Sequence, residues 1–261
     1  MIVLKTDSEI DAMRAAGALS AEILDKVEDL IKPGITTLDI DVFVHEYTIR
    51  NGGIPAPLNY RGFPKSVCTS INEVVCHGIP SSKVKLKEGD IINVDVTSII
   101  DGYFGDTSRM YFVGSNILPV ARKLTEVARS CLFRGIKQVK PGARVGDIGH
   151  AIQSYAEKQG FSVVREFVGH GIGRTFHEDP QIAHYGQPGK GAKLVEGMVF
   201  TIEPMVNQGH WKTKVLKDGW TAITIDGGLS AQWEHTLAIK STGEVVILTE
   251  SAKEISTRPV V

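Results

Sequence analysis

The chain has 261 residues, with 29 Lys plus Arg against 30 Asp plus Glu, so it carries no basic surplus to neutralise a phosphate backbone, and a dedicated nucleic-acid binder is disfavoured. A hydrophobic fraction of 42% and a charged fraction of 23% exclude disorder and supply enough apolar residues for a sizeable core. Cys68, Cys76 and Cys131 form no C-x-x-C spacing, which argues against both a disulfide framework and a thiolate zinc site. The N-terminal apolar run stops at Leu4 and every later one is broken short of spanning length, so a cytoplasmic protein without a signal peptide or membrane span is expected.

In chain order, Ile10, Met13, Gly17, Leu24, Val27 and Ile31 follow helical spacing and predict a helix over 8–31, opened by a capping box of Thr6 and Glu9 and closed by Lys32-Pro33-Gly34. A second helix runs from about Thr37 to Arg50 and ends on Asn51-Gly52-Gly53. β-rich runs follow at 91–99 and 104–113. Pro119 then opens a helix to about Val139, and Val145, Ile148, Ile152 and Tyr155 mark another that ends at Gly160. Further strands are predicted at 162–168, 198–206, 222–224 and 235–239. The expected class is α/β of the α+β type, antiparallel sheets covered by helices.

The order helix, helix, strands occurs twice, and the sequence itself repeats. Lys32 to Ile40 (KPGITTLDI) recurs as Lys140 to Ile148 (KPGARVGDI), an offset of 140 − 32 = 108, and Leu86 to Val96 recurs as Leu194 to Pro204 at the same offset. Asp95 thereby aligns with Glu203. Cys76-His77-Gly78-Ile79 matches Gly169-His170-Gly171-Ile172 at an offset of 170 − 77 = 93, so the second half is shorter before its histidine and longer after it.

The acids on the strands carry the chemistry. Asp95 sits inside IINVDVTSII, where burial calls for Val or Ile, and an unpaired buried carboxylate is costly. Asp101-Gly102 supplies a hairpin turn that returns Asp106 across from Asp95, and the second half adds Glu203 and Glu234 on corresponding strands. Carboxylates that close repel unless a proton or a metal ion lies between them. With His170, placed by the repeat at the mouth between the halves, they form an oxygen-rich set suited to a pair of ions such as Mn, Co or Fe. Such a pair holds a bridging water that becomes hydroxide near neutral pH, and the expected reaction is hydrolysis of an amide or phosphoester.

The runs PKSVCTSINEVVCHGIP (64–80), INVDVTSIIDGYFGDTSRM (92–110), GFSVVREFVGHGIGRTFHEDP (160–180), TIEPMVN (201–207) and SAQWEHT (230–236) resemble the type I methionine aminopeptidases of the bacterial short form, within the M24 metallopeptidases, from about residue 4 to 250. The resemblance implies the pita-bread fold: one catalytic domain over 1–261, with pseudo-twofold halves of about 4–115 and 116–250. It implies that a metal-bridging hydroxide removes initiator methionine from nascent chains when the second residue is small. Asp95, Asp106, His170, Glu203 and Glu234 match the family's five ligands for two divalent ions, with Asp106 and Glu234 bridging and Glu203 also shuttling a proton. His77 and His177 match imidazoles outside the ligand set, one near the substrate amine or leaving nitrogen and one donating to the scissile carbonyl. Together with Tyr60, Phe63, Cys68, Phe176 and Trp220 they match the substrate pocket, a cleft suited to an unbranched, polarisable methionine. Pro57, Arg61 and Phe63 depart from the Cys, His and Tyr more usual in the family. Asn72, Val74 and Ser230 match positions that bind a monovalent cation, Na or K.

The partners implied are N-terminal Met peptides and nascent chains, with transient ribosome contact for which Lys83, Lys85 and Lys87 offer a modest basic edge; a monomer is expected. Two alternatives stay open. An X-Pro dipeptidase or aminopeptidase of the same fold would use the same five ligands but usually carries a large N-terminal domain. A non-catalytic binding protein on this scaffold would have lost ligands, and all five are present.

Overall fold

The computed structural model describes residues 1–261. Two helices, α1 (Asp7–Val27) and α2 (Thr37–Arg50), open on capping boxes, Thr6 with Glu9 and Thr36 with Asp39. Each box satisfies amides that the first helical turn leaves without partners. α1 is shorter than the predicted helix over 8–31: the buried stripe ends at Val27, and the exposed Glu28 and Asp29 tighten into a 3-10 turn. Three short strands, β1 (Ile54–Pro55), β2 (Cys68–Ile71) and β3 (Val74–Cys76), precede a long hairpin of β4 (Ile91–Ile100) and β5 (Tyr103–Phe112). The expected turn is there, with Asp101 and Gly102 at φ 51 and 77, the left-handed pair a tight hairpin requires.

The second half opens with α3 (Pro119–Ile136) and α4 (Val145–Lys158), followed by β6 (Ser162–Val163), β7 (Gly169–Gly171), β8 (Glu178–Ile182), β9 (Val199–Ile202) and β10 (Met205–Asn207). It closes with β11 (Thr213–Val215), β12 (Ala222–Thr224), β13 (Ser230–Gln232), β14 (His235–Ile239), β15 (Val245–Ile247) and a short α5 (Ala252–Ile255). Two predicted strands come out differently. The run 162–168 is β only over 162–163, because the chain turns outward at the exposed Arg165 and Glu166. The run 198–206 is cut between β9 and β10, where Pro204 has no amide to donate to a ladder.

The recurring sequence windows bond to each other, identically, in both halves. The Gly34 amide donates to the Leu86 carbonyl and the Leu86 amide to Ile35; 108 residues on, Gly142 donates to Leu194 and Leu194 to Ala143. Isolated bridges repeat likewise, Thr36 with Lys85 and Arg144 with Lys193. Gly34 and Gly142 both hold left-handed φ, 95 and 88, so the Lys-Pro-Gly run is the turn that pins each second helix to the segment entering a central strand.

All strand pairings are antiparallel. β4 lies between β5 on one side and β1 and β2 on the other; β15, β14, β9, β7 and β8 form a second sheet in that order. Two three-stranded sheets, β13-β10-β6 and β11-β12-β3, complete the set, and β12 to β3 joins the halves.

Alternation on the central strands decides what faces what. Ile92, Val94 and Val96 of β4 pack with Leu19, Ile23 and Leu24 of α1 and Ile40 and Val44 of α2. Phe200 and Ile202 of β9, with Leu237 and Ile239 of β14, pack under α3 and α4. A fully buried side chain such as Phe200 contributes roughly 1.5–3 kcal/mol. With period two, the intervening Asn93, Asp95, Thr97, Thr201 and Thr236 point the other way, toward the seam between the halves.

Candidate active site

The seam gathers the acids. Across the β4–β5 ladder Asp95 pairs with Ser108 and Asp106 with Thr97, so the two acids are diagonal neighbours on one face rather than directly opposite, as the sequence suggested. Glu203 and Glu234 lie one residue outside β9 and β14, not within them. The Glu234 amide donates to the Ser108 carbonyl at 3.2 Å, tying the second half's acid to the first half's hairpin. His170, in β7, is buried at the floor and not at the mouth. Its Nδ1 is 3.0 Å from the Gly171 carbonyl, which can only accept, so Nδ1 carries a proton and Nε2 is aimed at Asp106 Oδ2 (3.5 Å) and Glu203 Oε1 (3.6 Å). Asp106, His170 and Glu234 offer ligand atoms that all lie within 4.8 Å of one another.

The electrostatics follow from crowding and burial. Burial, then the charges of Asp106 and Glu203, push Asp95 well above the usual carboxylate range, and Glu234 rises for the same reasons. Burial lifts Glu203 to about 7 even though the His170 charge pulls it down. For His170 burial disfavours the charged ring, but the Asp106 hydrogen bond and the two neighbouring carboxylates outweigh it and raise the imidazole to about 9. His177 goes the other way, down to about 4, through burial and the charge on His170. Without a cation this array stores repulsion that protons relieve.

A cavity of about 340 Å³ rises from these acids. All five sequence-predicted ligands line it, and so do Tyr60, Phe63, Cys68, His77, Phe176, His177 and Trp220. Tyr60 stacks on His177 with ring centroids 5.3 Å apart, and its hydroxyl is 2.9 Å from His177 Nδ1. The Phe63 ring meets Trp220 edge-on at 5.2 Å, and His77, in left-handed backbone at φ 56, is wedged between Trp220 and Phe167. Burial holds the His77 ring in its neutral form and keeps the Cys68 thiol protonated.

Asn72, Val74 and Ser230 lie outside this cavity. The Ser230 amide donates to the Asn72 carbonyl at 2.8 Å, and the buried Ser230 hydroxyl has no partner, whereas Val74 is engaged in the β3–β12 ladder. The structure brings Asn72 and Ser230 together.

Several polar neighbours of the acids escaped the sequence reading. Thr97 Oγ1 donates to Asp106 Oδ1 at 2.7 Å, Thr201 Oγ1 to Glu203 Oε1 at 2.8 Å, and Gln232 Nε2 to Glu203 Oε2 at 3.3 Å. The Glu203 amide donates to Nε2 of the fully buried His184 at 3.1 Å. Thr97 and Thr201 each stand two residues from an aligned acid, on the same strand face; that spacing was a usable signal. His184 gave none, because its partner comes from a different strand.

The sequence profile described as Metallopeptidase family M24 matches residues 11–241. Methionine aminopeptidase A of Synechocystis sp. is 60% identical over 248 residues, covering 95% of this chain and 97% of that protein. The crystal structure of methionine aminopeptidase from Rickettsia prowazekii superposes with a TM-score of 0.93 at 52% identity, covering 95% of this chain and 100% of the other. The prolidase from Pyrococcus furiosus, at a TM-score of 0.74 and 22% identity, shares the fold, and this chain spans 66% of it. With antiparallel sheets and paired helices closing on one acidic seam, and relatives matched along nearly their full length, the chain belongs to metallopeptidase family M24, in its methionine aminopeptidase branch of the pita-bread fold.

Proposed function

We propose that the chain removes the N-terminal methionine from peptides and nascent proteins whose second residue is small, by hydrolysis that depends on two divalent metal ions (Mn, Fe, Co or similar). The observation that carries this is the cluster of Asp106, His170 and Glu234, with ligand atoms within 4.8 Å, at the floor of a cavity walled by aromatics and a thiol. The donors fit a hard divalent cation: they are oxygen-rich and crowded, and Asp95, Glu203 and Glu234 are raised in pKa by burial and by neighbouring carboxylates whose repulsion a cation would relieve. Asp95, Asp106, His170, Glu203 and Glu234 would hold such ions. Bound there, divalent ions would polarise a carbonyl and lower the pKa of water.

The chain's own residues do the rest. Tyr60, Phe63, Cys68, Phe176 and Trp220 form the slot for the methionine side chain. With Tyr60 hydroxyl on its Nδ1, a neutral His177 carries its proton on Nε2 and donates to the scissile carbonyl oxygen as charge develops there. His77, edge-on to Trp220, orients the substrate amine or leaving nitrogen. Glu203, held by Thr201 and Gln232, takes and returns a proton at its carboxylate. Asn72 and Ser230, with Val74, supply oxygens for one monovalent cation, Na or K.

One catalytic domain over 1–261, built of halves at about 4–115 and 116–250, would act as a monomer in the cytoplasm, and the exposed Lys83, Lys85 and Lys87 would face a ribosome exit. No helix is long and apolar enough to cross a membrane.

The test is free methionine, read by mass spectrometry, from Met-Gly and Met-Ala peptides beside an X-Pro peptide, with chelated protein before and after Mn or Co is added. Metal-dependent release confined to the Met peptides supports the proposal. Cleavage of the X-Pro peptide alone would assign the same ligands to a prolidase, and silence under every metal would leave a binding protein.

A further inference from the structure

Two exposed charged side chains at the cavity, Arg61 and Glu166, are left over by this scheme. Arg61 lies on a loop whose backbone is left-handed at Asn59 and at Arg61, with φ 66 and 48, conformations that cost about 1–2 kcal/mol each at a residue with a Cβ. The loop is held in that shape by short bonds: the Asn59 amide donates to the Phe63 carbonyl at 2.8 Å, and the Phe63 amide to Tyr60 at 2.9 Å. The outcome is that Arg61 is presented on the cavity wall, exposed, with its guanidinium carbon 5.3 Å from the Tyr60 ring centroid. Nearby Lys65 is neutralised by Asp41 at 3.4 Å, whereas Arg61 enters no ion pair.

The position along the substrate follows from the same distances. The Arg61 guanidinium is 5.3 Å from the Tyr60 ring, and that ring is 5.3 Å from the ring of His177, the donor assigned to the scissile carbonyl. Together these distances hold Arg61 within about 11 Å of His177, and at about 3.3–3.6 Å per residue an extended substrate comes within reach of Arg61 no later than its third or fourth residue. The charge on Arg61 is also felt at His177, as expected for a group on that side of the cavity. Glu166, the other exposed charge lining the cavity, is the chain neighbour of Phe167, whose ring meets His77, and its negative charge would repel a carboxylate.

Resting on the aminopeptidase reading above, we propose that Arg61 is a specificity-determining residue, selecting substrates with a carboxylate at the third or fourth position. The carboxylate is either an acidic side chain or the free C-terminus of a short peptide. Being planar and forked, a guanidinium suits a carboxylate better than any neutral group.

The experiment measures kcat/KM for Met-Ala-Asp-Ser and Met-Ala-Lys-Ser, each as free acid and as C-terminal amide, with the metal-loaded protein. The amidated acidic peptide is expected to exceed the amidated basic one by about two- to fivefold, the range of an exposed ion pair, mainly through KM and less so in high salt. Free acids that exceed their own amides, with no difference between the Asp and the Lys peptide, assign the terminal carboxylate instead. Within each variant the ratio is the readout: Arg61→Gln should bring it to unity and Arg61→Glu should invert it. Equal rates in the unsubstituted protein, or a ratio moved by Glu166→Gln and not by Arg61→Gln, would overturn the specificity while leaving methionine release intact. Failure to cleave any of the four peptides would overturn both.

Discussion

Thr201 Oγ1 stands between His170 and Glu203, accepting from the His170 amide at 3.0 Å while donating to Glu203 Oε1 at 2.8 Å. One hydroxyl thus fixes the rotamer of an acid and the position of the strand that carries the imidazole. Thr201→Val keeps the shape and removes both bonds, leaving a buried amide and a carboxylate oxygen unpaired, each at a cost of about 1–3 kcal/mol. We expect metal affinity to fall about 10–100-fold, as when the supports of other metal ligands are removed, with a smaller loss of kcat at saturating metal. Titrating activity against free Mn would check this; an unchanged midpoint would show that the strand alone positions the cluster.

A second relationship works through backbone. Gly17 of α1 and Gly105 of β5 approach so closely that a Cβ on Gly105 would stand 2.3 Å from the Gly17 amide nitrogen, and Ser20 Oγ of the same helix donates to the Gly105 carbonyl at 2.8 Å. The obstacle is main chain, which cannot rotate aside. Gly105→Ala must push α1 off the strand that carries Asp106, at a cost of about 1–3 kcal/mol or more. Thermal unfolding should show a Tm lower by roughly 5 °C or more. Exposed Gly219, with nothing near its Cβ position but φ 80, is the matched control for backbone strain alone.

How much of this was legible in the sequence depends on the range of the cause. The acids were readable because a charged residue breaks an apolar strand and because Asp95 aligns with Glu203 in a repeat. That repeat also gave the helix pairs, whose capping and turn residues act within a few positions. The short strands β1 to β3, β7 and β11 were not readable, since partners far along the chain satisfy their amides, as Ala222 does opposite Cys76. Gly17 reads as an indifferent helical glycine until β5 is packed on it. His184 and Gln232 are polar residues whose value lies wholly in reaching Glu203 from other elements. Local chemistry was legible and tertiary polar support was not.

The Tyr60 to His177 bond gives a third prediction. If it holds His177 with its proton on Nε2, then Tyr60→Phe should lower kcat about fivefold, the value of a net hydrogen bond of about 1 kcal/mol, and leave metal affinity alone. His177→Ala should cost about 10²–10⁴-fold in kcat, as loss of a positioned proton donor does. Because the two act as one unit, Tyr60→Phe should have no further effect on kcat in the His177→Ala background. Additive losses in that cycle would mean that Tyr60 serves the methionine slot alone.

The last prediction concerns metal removal and pH. His170 is held protonated up to about 9 in the folded, metal-free chain, against an ordinary value of 6.5. Below 6.5 it is charged in both states and its full stabilisation is present; as pH rises through 9 the folded chain must give up the proton and that stabilisation is lost. Asp95 and Glu234, both raised, change stability in the same direction, since their folded forms keep protons that the unfolded chain has released. Glu203, raised to about 7, adds a smaller loss in the same direction as it gives up the rest of its proton just above pH 7, and His177 and His184, lowered to about 4 and about 3, are neutral in both states above pH 7.5 or so. Between pH 7 and 8.5 the metal-free protein should therefore lose about 2 kcal/mol from His170 alone, seen as a Tm lower by roughly 5 °C. With Mn or Co bound, the imidazole is already deprotonated and the carboxylates are neutralised, so the same interval should leave Tm flat. Equal pH slopes with and without metal would mean that His170 takes no part in binding the ion.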